Sequence, residues 1–410
     1  MVDNSLRWSA RVHEIFILVD GLTEGMTAIF GLDRNYWMLL FSLFLVNVVS
    51  LGQFTSTYLE ELKASPELIG IIFSLSTLVF VVISPIGGAI GDILGRKRLM
   101  ILSPIVVSVS WFIMGVAPDW RWATVGLMLS SISPAINVPS FQAYIADITP
   151  KDKFGRAYGI IASMFSVCGV ISPLVVGFLI VSHGYQLTIF MIVATTLFGG
   201  ISRFFLKETE KSKDKVKLRA MFTGILAPLR NRQIAPIVVA QLGYFLATGI
   251  NYSFLTLFLN NVIGYSEDLI GLIFAVSAVS SAVTAPLAGR LAERYPSRIL
   301  LVTGLIADAV SVVLLVNTRE LWRLILIAIV WGAVATFYWP VMDATVAKVT
   351  RKGRRGAEFG SLESLRNIAS LPGPFIGGLL WGTLGPLIPF YVFAALVITV
   401  AIYVFIVVRV

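Results

Sequence analysis

The chain has 410 residues, 57% of them hydrophobic and only 13% charged, with 32 Lys and Arg against 23 Asp and Glu for a net charge of +9. A mean hydropathy of +0.86, with roughly half the charge of a soluble domain, excludes a water-solvated globule and implies a protein dissolved mainly in lipid. The single Cys168 excludes an internal disulfide, the two histidines His13 and His183 exclude a His/Cys metal cluster, and the basic residues sit in short loops rather than on a continuous face for nucleic acid.

Residues 1–35 contain only a short apolar run at 15–19, flanked by Glu14 and Asp20, with no small-residue cleavage site after it. That does not fit a cleavable signal peptide. The segment is expected to lie along the membrane surface or to form a disordered arm. About twenty apolar residues cross the hydrocarbon as a helix. Runs of that length at 36–58, 66–88, 98–117, 121–146, 156–181, 187–206, 234–260, 267–289, 298–317, 320–346, 358–381 and 384–408 predict an all-α membrane protein with twelve transmembrane helices, here spans 1 to 12.

Loops after even-numbered spans carry Arg96, Lys97 and Arg98, then Lys151, Lys153 and Arg156, then Arg290, Arg294 and Arg298, then Lys348, Arg351, Lys352, Arg354 and Arg355. Loops after odd-numbered spans hold only Lys63, Arg121, Arg319 and Arg323. The positive-inside rule therefore predicts cytoplasmic even loops and cytoplasmic termini in a multi-pass protein of the plasma membrane. Residues 207–233 divide a bundle over 36–206 from one over 234–410. This linker opens on a mixed-charge run, after which Leu218, Met221, Phe222, Ile225, Leu226 and Leu229 recur at helical spacing beside Lys215, Lys217, Arg219, Arg230 and Arg232. An amphipathic helix on the cytoplasmic leaflet and a linker packed on the protein both fit.

The two halves repeat at a spacing of 201 residues. Laid over 266–300 without a gap, residues 65–99 match at eleven of 35 positions, where chance gives about three in so apolar a chain. The same spacing pairs Gly70 with Gly271, Pro139 with Pro340, Gly155 with Gly356, Pro173 with Pro374 and Gly177 with Gly378. Six spans per copy give the second copy the orientation of the first, so the repeat is parallel: two six-helix bundles related by a pseudo-two-fold axis along the membrane normal.

Between spans 2 and 3 stands Gly88-Ala-Ile-Gly-Asp92-Ile-Leu-Gly95-Arg96-Lys97-Arg98. It resembles the loop signature of the major facilitator superfamily, approximately Gly-x-Leu-Ala-Asp-Arg-x-Gly-Arg-Arg/Lys, departing from it at Ile93. Gly289-Arg-Leu-Ala-Glu293-Arg294-Tyr-Pro296 is similar to its weaker second-half copy, with Pro296 in place of the glycine. The resemblance extends over all twelve spans. It implies that Asp92 and Arg96 belong to a cytoplasmic latch between the halves, with Asp147 as partner of the arginine and Glu293 serving the start of span 5 near Gly155. Read as residues alone, the same charges are ordinary cytoplasmic loop residues. Gly373-Pro374-Phe-Ile-Gly377-Gly378 in span 11 resembles the Gly-Pro-x-x-Gly-Gly motif of drug/proton antiporters but in the other half, and Ser172-Pro173 through Gly177 is its degraded counterpart. Proline kinks and glycine contacts between helices account for both more simply.

Ionisable residues inside spans are functional candidates by default. Four stand out, all in the second half: Asp308, Asp343, Glu363 and Arg366, whose first-half counterparts are Val107, Gln142, Ala162 and Phe165. At 1.5 Å per residue Asp308 lies about 14 Å inside its span, in a helix that the resemblance places outside the cavity, so a buried structural hydrogen bond is expected there. Glu363 and Arg366, three apart, share a helix face. With Asp343 they form a candidate proton-coupling group, or a static ion pair. The expected cavity wall adds Asn47, Gln53, Asn137, Gln142, Gln241, Tyr244, Asn251, Tyr252, Tyr338 and Trp339, amides and rings suited to a partly apolar solute.

Taken with the resemblance, these residues describe a monomeric secondary active transporter of a small organic solute. It works by rocker-switch alternating access, with H+ as the coupling ion and efflux as one open direction. An uncoupled facilitator and a non-transporting membrane sensor or scaffold are the alternatives. No cofactor, metal or nucleic-acid partner is expected. No nucleophile–base pair or phosphate loop supports an enzyme.

Overall fold

In the computed structural model, residues 26–27, 29–208, 225–230, 234–349 and 355–408 are described, and all of the regular structure among them is helical. The helices are α1 (Arg34–Val48), α2 (Thr55–Glu61), α3 (Pro66–Leu94), α4 (Arg96–Gly115), α5 (Trp120–Ile148), α6 (Phe154–Ser202), α7 (Ala235–Asn261), α8 (Glu267–Arg294), α9 (Ser297–Val316), α10 (Leu321–Val349), α11 (Arg355–Ser370), α12 (Pro372–Leu384) and α13 (Ile388–Val407). Eight stretches among the described residues are long and apolar enough to cross a membrane. One of them holds α1 and α2 together, and another is α6, which contains two of the expected spans. The helices α5, α10, α11 and α12 fall on the remaining expected runs.

Local chemistry sets the ends. The Asp33 carboxylate accepts from Asn35 N at 2.7 Å and so caps α1. The Asp119 carboxylate accepts from Arg121 N at 2.9 Å and caps α5. Gly95, at φ 100°, turns the chain between α3 and α4 in a conformation that other residues rarely adopt. Gly184, at φ 79°, breaks α6 between the expected spans 5 and 6. Span 1 is interrupted between Val48 and Thr55, and span 11 at Leu371, immediately before Pro372.

The helices form two bundles with the same internal pattern: α5 packs on α3 and α4 in the first as α10 does on α8 and α9 in the second, and α6 lies against α4 as α13 does against α9. The bundles meet along α6 against α8 and α3 against α12. Large apolar side chains such as Phe178, Leu314, Ile402 and Phe405 face outward, as lipid rather than water requires. The turns α3–α4, α5–α6 and α8–α9 lie at one end of the molecule, called here the basic end; the opposite end is the far end.

The N-terminal arm docks at the basic end. Lys153 Nζ donates to Gly31 O at 2.8 Å and Arg156 Nη1 to Phe30 O at 2.9 Å, while the Phe30 ring packs on Trp37. Of the linker, 225–230 is described; it contains a single turn, Ala227–Arg230, and Ile225 and Leu229 pack against the core. The expected positions of residues 1–25 and 209–224 lie outside the described residues.

Candidate functional site

The 201-residue repeat acquires a physical meaning at the far end. A Cβ on Gly70 would lie 3.1 Å from both the Pro374 carbonyl carbon and Gly378 Cα, and one on its twin Gly271 would lie 2.9 Å from the Pro173 carbonyl carbon. Gly177 meets Asp268 Cα at 3.1 Å, and its twin Gly378 meets Glu67 Cα at 3.2 Å. Gly70, Pro173, Gly177 and their copies thus face one another across the pseudo-two-fold, on two seams where backbone touches backbone. Hydrogen bonds span the same end. Tyr185 Oη donates to Thr57 Oγ1 at 2.7 Å and to Glu267 Oε1 at 3.1 Å. Asn261 Nδ2 donates to Glu60 Oε1 at 2.6 Å, and Phe375 N to Ser74 Oγ at 3.0 Å.

At the basic end the described residues of the same helices show no such contact. Among the described residues nothing lies within 4 Å of where a Cβ would sit on Gly155, Gly159 or Gly289. Arg96 and Asp147 form an ion pair, and Arg96 Nη1 also donates to Ala143 O at 3.3 Å, so this arginine is held within the first bundle. Arg294 is exposed in the last turn of α8. The side chains of Asp92, Glu293, Trp339 and Asp343, and the surroundings of Gly88, lie outside the described residues. Gly87, the neighbour of Gly88, makes a close approach of α3 to α5, where a Cβ would sit 2.8 Å from Ile136 Cα.

The second bundle contains a polar chain. Glu363 pairs with Arg366 at 3.1 Å; the acid is 60% exposed and the arginine side chain 6%. Arg366 Nε donates to Gln241 Oε1 at 3.2 Å, and its guanidinium lies 5.6 Å from the Phe245 ring centre. One turn along α7 from Gln241, Tyr244 Oη donates to Asp308 Oδ2 at 3.0 Å, while Trp331 Nε1 donates to Asp308 Oδ1 at 3.1 Å. The Tyr244 and Tyr338 rings stack at 4.0 Å. Gln241, Tyr244 and Tyr338 are therefore buried side chains rather than cavity surface.

The remaining expected wall residues divide. Asn47 Nδ2 is turned back onto Leu43 O at 2.7 Å. Gln53 sits half-buried in the turn that interrupts span 1, and Gln142 is exposed. Asn251 is buried with its Oδ1 unpaired among the described groups, and Tyr252 is 58% exposed.

One ionisable residue corrects the expectation that those inside spans belong to the second half alone. Arg203, within the run 187–206, is 1% exposed. It donates from Nε to Ser42 Oγ at 2.7 Å and from Nη1 to Met100 O at 2.7 Å and Asn137 Oδ1 at 3.1 Å. It thereby ties α1, α4 and α5 to the end of α6, and it takes Asn137 away from any solute. Its place at the end of a span reads as one more basic loop residue. The apolar residues on both sides of it, Ile201 and Phe204 to Leu206, are the signal that marks it as internal.

The profile of the Major Facilitator Superfamily matches residues 36–266 and 237–410. The chain is 26% identical over 341 residues, 82% of its own length and 83% of the relative's, to the "Multidrug resistance protein MdtG" of Salmonella arizonae. The solved structure of a point mutant of the nucleoside transporter NupG superposes with a TM-score of 0.79 at 14% identity, covering 92% of this chain and 99% of that one. A bacterial homologue of the lysosomal transporter Spinster, in an inward-facing and occupied conformation, superposes at 0.73 with 15% identity, covering 91% and 95%.

Proposed function

The chain belongs to the major facilitator superfamily of membrane transporters, and from that premise we propose a proton-coupled carrier that moves a small, partly apolar organic solute outward by alternating access. With the basic loops on the cytoplasmic side, the conformation described above reads as the inward-open one: sealed at the far end, without seam contacts among the described residues at the basic end. The observation that carries this reading is the double seam of Gly70 with Gly378 and Pro374, and Gly271 with Pro173. Two bundles joined at the far end by contacts that repeat under the pseudo-two-fold, with no such contact among the described residues at the basic end, fit one terminus of a rocking motion.

Efflux of a multidrug type is supported by the names of the MdtG relatives, and the exposed Tyr252 and Gln142 suit a partly apolar solute. Coupling is assigned to Glu363 and Arg366, with Asp343 as the further acid. An exposed carboxylate that exchanges its proton for an arginine contact gives each protonation state a different preferred conformation.

The test joins Glu60→Cys to Asn261→Cys in a Cys168→Ser background, since the native side chains already touch across the seam. In proteoliposomes carrying an imposed pH gradient, screened against a panel of drugs and metabolites, oxidation should abolish flux and reductant restore it. Full cross-linking with flux intact removes alternating access at this seam. Flux that ignores the gradient identifies an uncoupled facilitator, and neither flux nor counterflow with any solute identifies a sensor or scaffold.

A further inference from the structure

Asp308 lies near the middle of α9 and is 4% exposed. Its two oxygens are met by neutral donors, Tyr244 Oη at 3.0 Å and Trp331 Nε1 at 3.1 Å. No described salt bridge includes it. The described ionisable groups on the surrounding helices are engaged elsewhere or lie toward the helix ends. On α9 itself, Arg298 stacks over Phe405 toward the basic end. On α13, Tyr391 is bonded to Asn317 at the far end, and Tyr403 lies some five residues from the basic terminus of that helix. On α10, Arg323 pairs with Glu320 and Tyr338 stacks on Tyr244; the side chains of Asp343 and Lys348 lie outside the described residues. On α11, Arg366 donates to Glu363 and Gln241.

An ionised carboxylate removed from water is tolerated when a cation or several converging donors replace its hydration. Asp308 has two neutral donors. A neutral carboxylic acid fits the same space at far lower cost: its carbonyl oxygen accepts from Trp331, while its hydroxyl and that of Tyr244 exchange donor and acceptor roles. The site also stands next to a second polar group, with no described hydrogen bond between the two. Tyr244 is one turn from Gln241, which leads to Arg366 and then to Glu363, 60% exposed. None of Tyr244, Asp308, Trp331 and Arg366 is matched in the first copy, where Leu43, Val107, Ser130 and Phe165 stand. These polar residues belong to one bundle and are not part of the scaffold that the two copies share.

We propose that Asp308 is a proton-binding site of the second bundle, occupied when the far end is closed, and that Tyr244 transmits its occupancy to the packing of α7 on α10. The second clause rests on the proton-coupled reading above; the first does not. The deciding measurement is infrared difference spectroscopy of the full-length protein in proteoliposomes, stepped through pH. A protonated-carboxyl band should be present in the wild type, unchanged in Glu363→Gln, absent in Asp308→Asn and displaced in Tyr244→Phe, which loses the hydroxyl partner. No such band at any pH in the wild type, or one untouched by both Asp308→Asn and Tyr244→Phe, would overturn the site. If Asp308→Asn does not fold, the displacement in Tyr244→Phe decides alone. The same vesicles separate the two clauses: Asp308→Asn should retain counterflow yet lose acceleration by an imposed pH gradient. Loss of the band with gradient-driven flux intact refutes the link to α7 and α10. A band that titrates in a protein whose wild-type flux ignores pH refutes proton coupling and leaves the site standing.

Discussion

Gly70→Ala is the sharpest perturbation that the seam offers. The added methyl would sit 3.1 Å from the Pro374 carbonyl carbon and from Gly378 Cα. These are backbone atoms of a helix braced on both sides, and they cannot rotate aside. Overpacking of this kind costs about 1–3 kcal/mol. The helix-propensity gain of up to about 1 kcal/mol for Gly→Ala applies whichever end of the carrier is closed, so it cancels from the conformational equilibrium. The seam exists only when the far end is shut, so the whole clash acts on that state. At about 1.4 kcal/mol per tenfold, the population should move about 5- to 150-fold toward the conformation open at the far end. The assay is labelling of Asn261→Cys in a Cys168→Ser background by a membrane-impermeant maleimide, with and without Gly70→Ala. Gly271→Ala, the twin, should behave alike. Gly155→Ala, where a Cβ meets nothing among the described residues, should leave labelling at the wild-type rate. Equal labelling of all variants at equal thermal stability would refute the claim that backbone contact closes the far end.

Other outcomes follow from the same geometry. Tyr185→Phe removes the donor shared by Thr57 and Glu267 and should weaken far-end closure by about 1 kcal/mol, read as a few-fold rise in the same labelling. Arg203→Ala orphans Ser42, the Met100 carbonyl and Asn137 and leaves a void; it should cost about 2–4 kcal/mol, seen as a lowered thermal transition in detergent. Asp119→Ala deletes the cap of α5 for about 1 kcal/mol, with flux per folded molecule unchanged. Arg96→Ala breaks a half-exposed pair with Asp147 and should change thermal stability by under about 1 kcal/mol.

Much of the architecture could be read from the residues, because lipid imposes a simple rule: a crossing needs a long apolar helix, and the runs show it. The doubling was visible in Gly70/Gly271 and Pro173/Pro374, but its reason was not. A self-comparison reports which positions are alike, whereas only the fold shows that like positions touch one another. The site was legible in pieces. Glu363 with Arg366 follows from helical spacing, which is local. Asp308 with Trp331 and Tyr244 joins three helices whose angular settings no local pattern fixes, so its partners could not be named. Gln241 and Tyr338 looked like cavity surface because an amide or phenol in an apolar helix looks alike whether it faces water or another side chain. Arg203 escapes a reading by position because a cation one turn inside the end of an apolar run is indistinguishable from one just outside it.

The tight apposition at Gly70, Gly177 and their copies has an electrical consequence. Where main chains interlock there is no room for a file of water, so the seal insulates, and in the proposed inward-open state a water-filled space at the basic end would conduct. In that state the transmembrane voltage would fall mainly across the seal rather than over the full thickness of the bilayer. A charge moved through that layer would feel close to the complete drop, about 2.3 kcal/mol for each 100 mV. The hydrogen-bonded carboxylate of Glu267 stands in that layer, and the rocking equilibrium should shift with voltage accordingly.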